Sequence, residues 1–371
     1  MNALHVMSVQ LSVAAILMLA PLQVLQAETP APQAQTAPAA AQLAIDEGAF
    51  VNINGVEQWI TIRGQALSNP VLLFLHGGPG MGQTYMAPAF AAWEKNFTLV
   101  QWDQPGGGFT QLKNKDNAGA MTIERFRKDG LAVTEHVLKR LNQRKLILMG
   151  HSWGTLLGIE MVKARPELFS AYVGTSQAVG SEGNKLGFEL ALKAARERND
   201  ATAIAALEKV GPPPYATFEE FFTRQQYSNP PALPPSAAET AASAETWSFM
   251  ATPPPADAKY LASKEPLVPM EIWGNFVEVQ KTTFKETWAW EARALGMKFA
   301  MPVFIYQGEL DINTPALTAR KYFEDVQAPK KGFELIAGAG HNTIAFQKEL
   351  LRLIDRDVRP LVVDGRKVAQ R

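Results

Sequence analysis

The sequence predicts an α/β fold: a mostly parallel central sheet flanked by helices, with a helical cap inserted before the last core strands. Three observations predict it. Short, nearly continuous apolar runs such as Val71–Leu75 and Lys145–Met149 recur along the chain, as strands buried on both faces require. Helical stripes fall between them, and strand–helix alternation selects a parallel sheet with right-handed crossovers. Glycine-rich loops follow Leu75, Trp102 and Met149, where a sheet must turn tightly into a helix or loop.

Composition narrows the function classes. The chain has 371 residues, 47% of them hydrophobic and 19% charged, which excludes disorder for its bulk. Lys+Arg and Asp+Glu each number 36, so nothing pulls the chain generally toward nucleic acid or an anionic membrane. It contains no cysteine, which excludes disulfides, thiolate metal sites and a cysteine nucleophile while leaving the redox compartment open. No paired histidines stand at ligand spacing and no G-x-x-x-x-G-K-[ST] loop is present, so neither a metal nor a cofactor is expected.

Residues 1–27 read as an export signal. Leu11 to Leu22 is apolar apart from Ser12 and Pro21, a length that suits a signal and is short for a bilayer span. The alternative is a retained N-terminal anchor. Residues 28–44, rich in Ala, Pro and Gln, read as a flexible tether. The expected location is periplasmic or secreted, with no stable membrane insertion once the signal is removed.

Residues 45–179 read as the first part of the core. Phe50–Ile62 is two antiparallel strands around Asn54-Gly55, the strongest short hairpin signal. Val71–Leu75, Phe97–Trp102, Lys145–Met149 and Ala171–Thr175 follow as strands. Thr122 caps a helix through Leu141, with Phe126, Val133 and Val137 on its apolar stripe, and a second helix runs from Thr155 to Ala164. Residues 180–297 lack strand runs and carry proline clusters such as Pro212–Pro214 and Pro253–Pro255, which marks a helical cap. Its pieces include Lys185–Arg198 and Phe276–Leu295, the latter with Phe284, Trp288, Ala292 and Leu295 at helical spacing. Residues 298–371 read as the second part of the core: a strand at Val303–Tyr306, a helix at Ala316–Val326, a strand at Gly332–Ile336 and a helix from Thr343 to Val358.

Gly150-His151-Ser152-Trp153-Gly154 lies between a buried strand and a helix. In that context a G-x-S-x-G string is a nucleophile elbow: the turn is so tight that small residues must flank the serine by two, and it lifts the hydroxyl to the sheet's C-terminal edge. A turn with a merely capping serine is the plainer alternative. The hydroxyl needs a base, and of five histidines His341 is left by elimination, in a glycine-containing loop after the strand Gly332–Ile336. His5 lies in the signal, His136 within a helix, and His76 and His151 inside tight motifs. The imidazole needs an acid to hold its tautomer. Asp311 follows the strand Val303–Tyr306; Glu309 is the rival, and a turn role is the plainer alternative for Asp311. The candidate catalytic residues are therefore Ser152, Asp311 and His341, in the chain order of α/β hydrolases. The loop His76-Gly77-Gly78-Pro79-Gly80 places a backbone N–H of Gly78 or Gly77, with that of Trp153, where an oxyanion forms.

His76–Gly80, Asp103–Gly108, Gly150–Gly154, Asp311 with Pro315, and Gly340-His341 together resemble the prolyl aminopeptidase (proline iminopeptidase) branch of the α/β-hydrolase family. The likeness runs over most of residues 50–355. It implies an α/β-hydrolase fold and removal of N-terminal residues, often proline, from short peptides. Pro105 stands where that family's Asp-Gln-Arg-Gly motif has arginine. The family's cap motif Trp-x-x-Trp-Glu has its nearest counterpart in Trp288-Ala289-Trp290-Glu291, one residue shorter, so Glu291 and Trp288 are carried over as substrate-binding candidates; packing within the cap is the alternative for Trp273, Trp288 and Trp290. A small-molecule or short-peptide substrate is expected. The rival readings are a carboxylesterase or amidase of small acyl substrates, and a non-catalytic ligand-binding protein on the same scaffold.

Overall fold

A computed structural model describes residues 44–115, 119–230, 232–248 and 275–363. The expected export signal, all but the last residue of the tether, the cluster Pro253–Pro255 and Trp273 lie outside the described residues.

The Asn-Gly turn starts the sheet. Asn54 and Gly55 take φ values of 50° and 88°, the left-handed pair that a two-residue I′ turn demands, and join β1 (Ile45–Ile53) to β2 (Val56–Gly64). Six strands follow: β3 (Val71–Leu75), β4 (Thr98–Trp102), β5 (Leu146–His151), β6 (Phe169–Thr175), β7 (Val303–Gly308) and β8 (Lys331–Ile336). They form one 8-stranded sheet in the order β1-β2-β4-β3-β5-β6-β7-β8. β1 and β2 run antiparallel to their neighbours, and every pair from β4 onward is parallel. Helices α1 (Gly108–Asn114), α2 (Ile123–Arg140) and α3 (Trp153–Ala164) lie among the early strands. Between β6 and β7 come α4 (Ser181–Glu197), α5 (Ala201–Val210), α6 (Phe218–Gln226), α7 (Ala237–Ser248) and α8 (Phe276–Ala289). The last two are α9 (Ala316–Asp325) and α10 (Gln347–Asp357).

The continuous apolar runs have a direct cause. Alternate residues of a strand face opposite sides. Val71, Leu73 and Leu75 enter one hydrophobic cluster with Phe126, Val133 and Leu157 of α2 and α3. Leu72 and Phe74 enter the other, with Phe90, Trp93 and Leu353. Both faces are covered, so neither set can be polar. The α2 cap also forms as expected: the Thr122 side chain accepts from the Arg125 N–H.

Two helices differ from expectation. The helix expected over Phe276–Leu295 ends at Ala289. Trp290 takes extended backbone, with φ −73° and ψ 136°, and Ala292 and Leu295 fall in a separate 3-10 turn. The physical reason is tertiary: the Trp290 indole is buried and donates to Glu160 Oε1 of α3 at 2.9 Å, which a continued helix would forbid. The closing helix likewise starts as a 3-10 turn at Thr343–Ala345 before α10. A 3-10 stretch at Thr84–Lys95 and the short α1 have no clear periodicity to reveal them.

The helices between β6 and β7 have small cores of their own. Phe188, Ala191, Ala203 and Leu207 join α4 to α5, and Phe218, Phe222 and Phe284 join α6 to α8.

Candidate active site

The site is built at the C-terminal ends of the parallel strands, where open α/β sheets place their ligands. β5 ends at His151 and α3 begins at Trp153. Ser152 between them has φ 53° and ψ −118°, a strained conformation for a residue with a side chain. The flanking glycines are required sterically. A Cβ on Gly150 would lie 2.2 Å from the Gly154 carbonyl oxygen, and one on Gly154 would lie 2.1 Å from that of Leu75.

The structure brings Ser152, His341 and Asp311 into one hydrogen-bonded chain. His341 Nε2 lies 2.9 Å from Ser152 Oγ, and His341 Nδ1 lies 3.0 and 3.1 Å from the two Asp311 carboxylate oxygens. Asp311 Oδ1 accepts the N–H groups of Asn313 and Thr314, both at 2.9 Å. Its Oδ2 accepts from Thr314 Oγ1 at 2.7 Å and Gln307 Nε2 at 3.1 Å. Burial by itself would raise the pKa of this carboxyl; the charge and hydrogen bond of His341 and the bonds from Thr314 outweigh it, and the net shift is downward. A carboxylate only accepts, so Nδ1 carries the proton and Nε2 keeps a lone pair for the serine hydroxyl. The rival Glu309 is exposed and accepts from the Gly338 N–H at 2.9 Å; the acid beside the imidazole is Asp311.

Three further residues hold the His341 loop. His151 Nε2 donates to the His341 carbonyl at 3.0 Å and Ser176 Oγ donates to it at 2.8 Å. Burial, with the neighbouring imidazole of His341, pushes the His151 pKa down to about 3, so His151 stays neutral. Glu239 of α7 accepts from the Gly340 N–H at 2.9 Å, and burial raises its pKa. The sequence carries no signal for Ser176 or Glu239, which lie 165 and 101 positions from their partners. His151 is visible within its motif, though its partner is not.

The oxyanion candidates surround the hydroxyl. A Cβ on Gly77 would lie 3.3 Å from Ser152 Cβ, so that backbone lies against the serine. Gly78, with φ 128°, shares a cavity wall with Ser152 and Trp153. Trp153 is the first residue of α3, where a backbone N–H has no carbonyl one turn earlier to bind. The loop Asp103–Gly108 orders this region from behind. Asp103 accepts from the Gln83, Thr84 and Phe109 N–H groups at 2.8, 3.0 and 2.9 Å. Gln104 takes the Trp153 indole N–H at 3.0 Å and gives its own N–H to His76 Nε2 at 3.2 Å. That bond fixes the His76 tautomer: Nδ1–H donates to the Gly77 carbonyl at 2.7 Å. Burial pushes the His76 pKa down, which keeps the ring neutral.

The cavity has a volume of about 160 Å³. Trp288 lines it and packs edge-on against Tyr215 and Phe221, with centroids 5.0 and 5.1 Å away. Glu291 does not line it. Its Oε1 accepts the Ser181 N–H at 2.9 Å, and a Cβ on Gly180 would lie 2.2 Å from its Oε2. This substrate-binding candidate instead caps α4, whose N-terminal N–H groups attract a carboxylate. Among the described residues no carboxylate lines the cavity, and Arg224 of α6 contributes a guanidinium to its wall. No group of three or more potential metal-ligating side chains occurs among the described residues, and no helix there is long and apolar enough to cross a membrane.

This fold and strand-edge site define a class. The family model described as the alpha/beta hydrolase fold matches residues 70–347, and the chain belongs to that family. Within it, the chain is similar to a probable aminopeptidase, YbaC, of Bacillus subtilis (strain 168): 36% identical over 167 residues, 44% of this chain and 52% of that one. It is also similar to a proline iminopeptidase of Lactobacillus helveticus, 33% identical over 106 residues, 28% of this chain and 34% of that one. The chain thus spans about half the length of the first relative and a third of the second. These relatives bear out the resemblance carried by the motifs. Among solved structures it is similar to a proline iminopeptidase-related protein from Thermus thermophilus, with TM-score 0.57 and 17% identity over 85% of this chain and 99% of that one. An enol-lactonase from Burkholderia xenovorans has TM-score 0.51 and 16% identity over 82% and 98%. At such identities the likeness is one of fold.

Proposed function

We propose that this chain is a serine hydrolase that works through an acyl-enzyme on Ser152, with removal of N-terminal residues from short peptides as its leading activity. The hydrogen-bonded chain Ser152–His341–Asp311 carries the reading. As Ser152 Oγ attacks the acyl carbonyl, its proton passes to His341 Nε2. Asp311 stabilises the imidazolium, and the N–H groups of Trp153 and of Gly78 or Gly77 bind the oxyanion. His341 then protonates the leaving group, which departs. Water attacks the ester as His341 takes its proton, and Ser152 is regenerated. Each oxyanion donor is worth roughly 10²–10³ in rate.

The peptidase reading is supported by the motif resemblance and by the relatives named aminopeptidase and proline iminopeptidase. A second reading, hydrolysis of small esters or amides, is favoured by the engagement of Glu291 with α4 rather than with the cavity. Proline 2-naphthylamide against p-nitrophenyl acetate separates the two: cleavage of the ester alone rejects the peptidase. A fluorophosphonate probe tests the shared mechanism. Wild type labels at Ser152, and Ser152→Ala neither labels nor turns over; wild-type-like turnover by that variant ends the hydrolase reading, and failure of wild type to label favours a ligand-binding role. The apolar segment Leu11–Leu22 supports export, which N-terminal sequencing of the mature protein from the periplasm or medium tests.

A further inference from the structure

The charged group on the cavity wall is in an unusual position. Arg224 is only 4% exposed. Its Nη1 donates to Asn313 Oδ1 at 3.0 Å and its Nη2 to the Ile312 carbonyl at 3.1 Å, both neutral acceptors. Its buried Nε has no partner among the described residues. Among the described residues no carboxylate lies within ion-pair distance of the guanidinium, and Asp311, which attracts it from farther off, is committed to His341. A buried cation without a counter-charge is strongly disfavoured, and such groups are ordinarily paired. This one lines the same cavity as Ser152 and His341. Gln280 lines the same cavity; its Nε2 donates to the Gly78 carbonyl at 3.1 Å, and its buried Oε1 has no partner among the described residues.

We propose that Arg224 is a specificity-determining residue that receives a carboxylate of the substrate, with Gln280 Oε1 accepting a substrate N–H or O–H. Planar guanidinium donors match a carboxylate better than any other side chain does. The substrate is then a short acid: a peptide small enough for its own C-terminal carboxylate to reach Arg224, or an acyl group that bears a second carboxylate. This inference rests on Ser152 as nucleophile for its kinetic arm but not for its binding arm.

The experiment compares substrates that differ only in that charge. Pro-Gly is set against Pro-Gly amide, which places the carboxylate on the leaving side. Monomethyl succinate is set against dimethyl succinate, which places it on the acyl side. Wild type should favour at least one free acid over its neutral partner by roughly ten- to a hundredfold in kcat/KM, the scale of a charge-assisted hydrogen bond. Arg224→Gln should bring that ratio near one through a raised KM for the acid, and Arg224→Lys should recover part of it. Neutral fluorophosphonate labelling reports whether the nucleophile stays intact in each variant. In Ser152→Ala, quenching of the tryptophans on the wall (Trp153, Trp288 and Trp290) reports binding of the same pairs without turnover. A wild type that does not prefer either acid, in turnover or in binding, overturns the proposal even if Arg224 variants fail to fold. So does equal loss on acid and neutral substrates in Arg224→Gln, which would make Arg224 an anchor of the 311–314 loop. Failure of wild type to label with fluorophosphonate while the binding preference persists would overturn only the hydrolase reading.

Discussion

In the proposed mechanism Asp311 is the residue that holds the His341 imidazole polarised, through its contacts of 3.0 and 3.1 Å with Nδ1. Its carboxylate accepts from five groups counting His341, and its pKa lies below the ordinary range despite full burial. Asp311→Asn keeps the shape but can present an N–H to Nδ1, which forces the wrong tautomer at Nε2. The expected loss is roughly 10⁴-fold in kcat, the scale of that change in serine proteases, with KM little altered; steady-state kinetics on either chromogenic substrate checks it, and a loss under tenfold would remove Asp311 from the mechanism. Ser152 and His341 are legible in the sequence since the elbow and the short histidine inventory leave few choices. Glu291 is where the motif misleads: a carboxylate beside two tryptophans says nothing about which helix end will claim it.

At the scale of elements, the contact of α3 with β3 sets how high the serine is lifted. Gly154→Ala forces a methyl to 2.1 Å from the Leu75 carbonyl oxygen. Backbone cannot swing aside as a side chain does, so the cost is at the upper end of overpacking, about 3 kcal/mol. Gly55→Ala is the control: φ is 88° with nothing within 4 Å, so only the left-handed backbone of the hairpin turn opposes it, at about 1–2 kcal/mol. Urea denaturation of the two variants should rank them in that order. Thr122→Ala removes the acceptor for the Arg125 N–H and should cost about 1 kcal/mol. Strands β3 to β7 and helices α2 to α4 are legible to within a few residues, because double-sided burial and amphipathic stripes write themselves into local sequence. The break at Trp290 is not, because a partner on α3 decides it.

For the whole molecule, pH dependence follows from buried neutral histidines. His76 and His151 both have pKa values below 6.5, driven first by burial. As pH falls below 6.5 the unfolded chain takes up protons that the folded chain refuses, so stability drops, by at most about 1.4 kcal/mol per pH unit for each histidine. Glu94 and Glu239, whose carboxyls burial pushes up, act with the opposite sign nearer the acid range, so the clearest window lies between 6.5 and about 5.5. Urea midpoints should fall across that window, and His151→Gln should make the slope shallower; a flat profile in wild type would mean that these rings protonate without unfolding.

The sequence by itself determined the sheet, the elbow and the order of the three residues that meet there, since all of these rest on short-range patterns: alternation, helical period, tight turns. Only the tertiary structure decided what surrounds them. That Glu239 and His151 hold the histidine loop, that Glu291 serves a helix end, and that the Arg224 guanidinium is held at the cavity wall depend on groups 88 to 190 positions apart. Electrostatics and hydrogen bonding act through space, and one-dimensional spacing does not record which distant groups the folded chain brings within bonding reach.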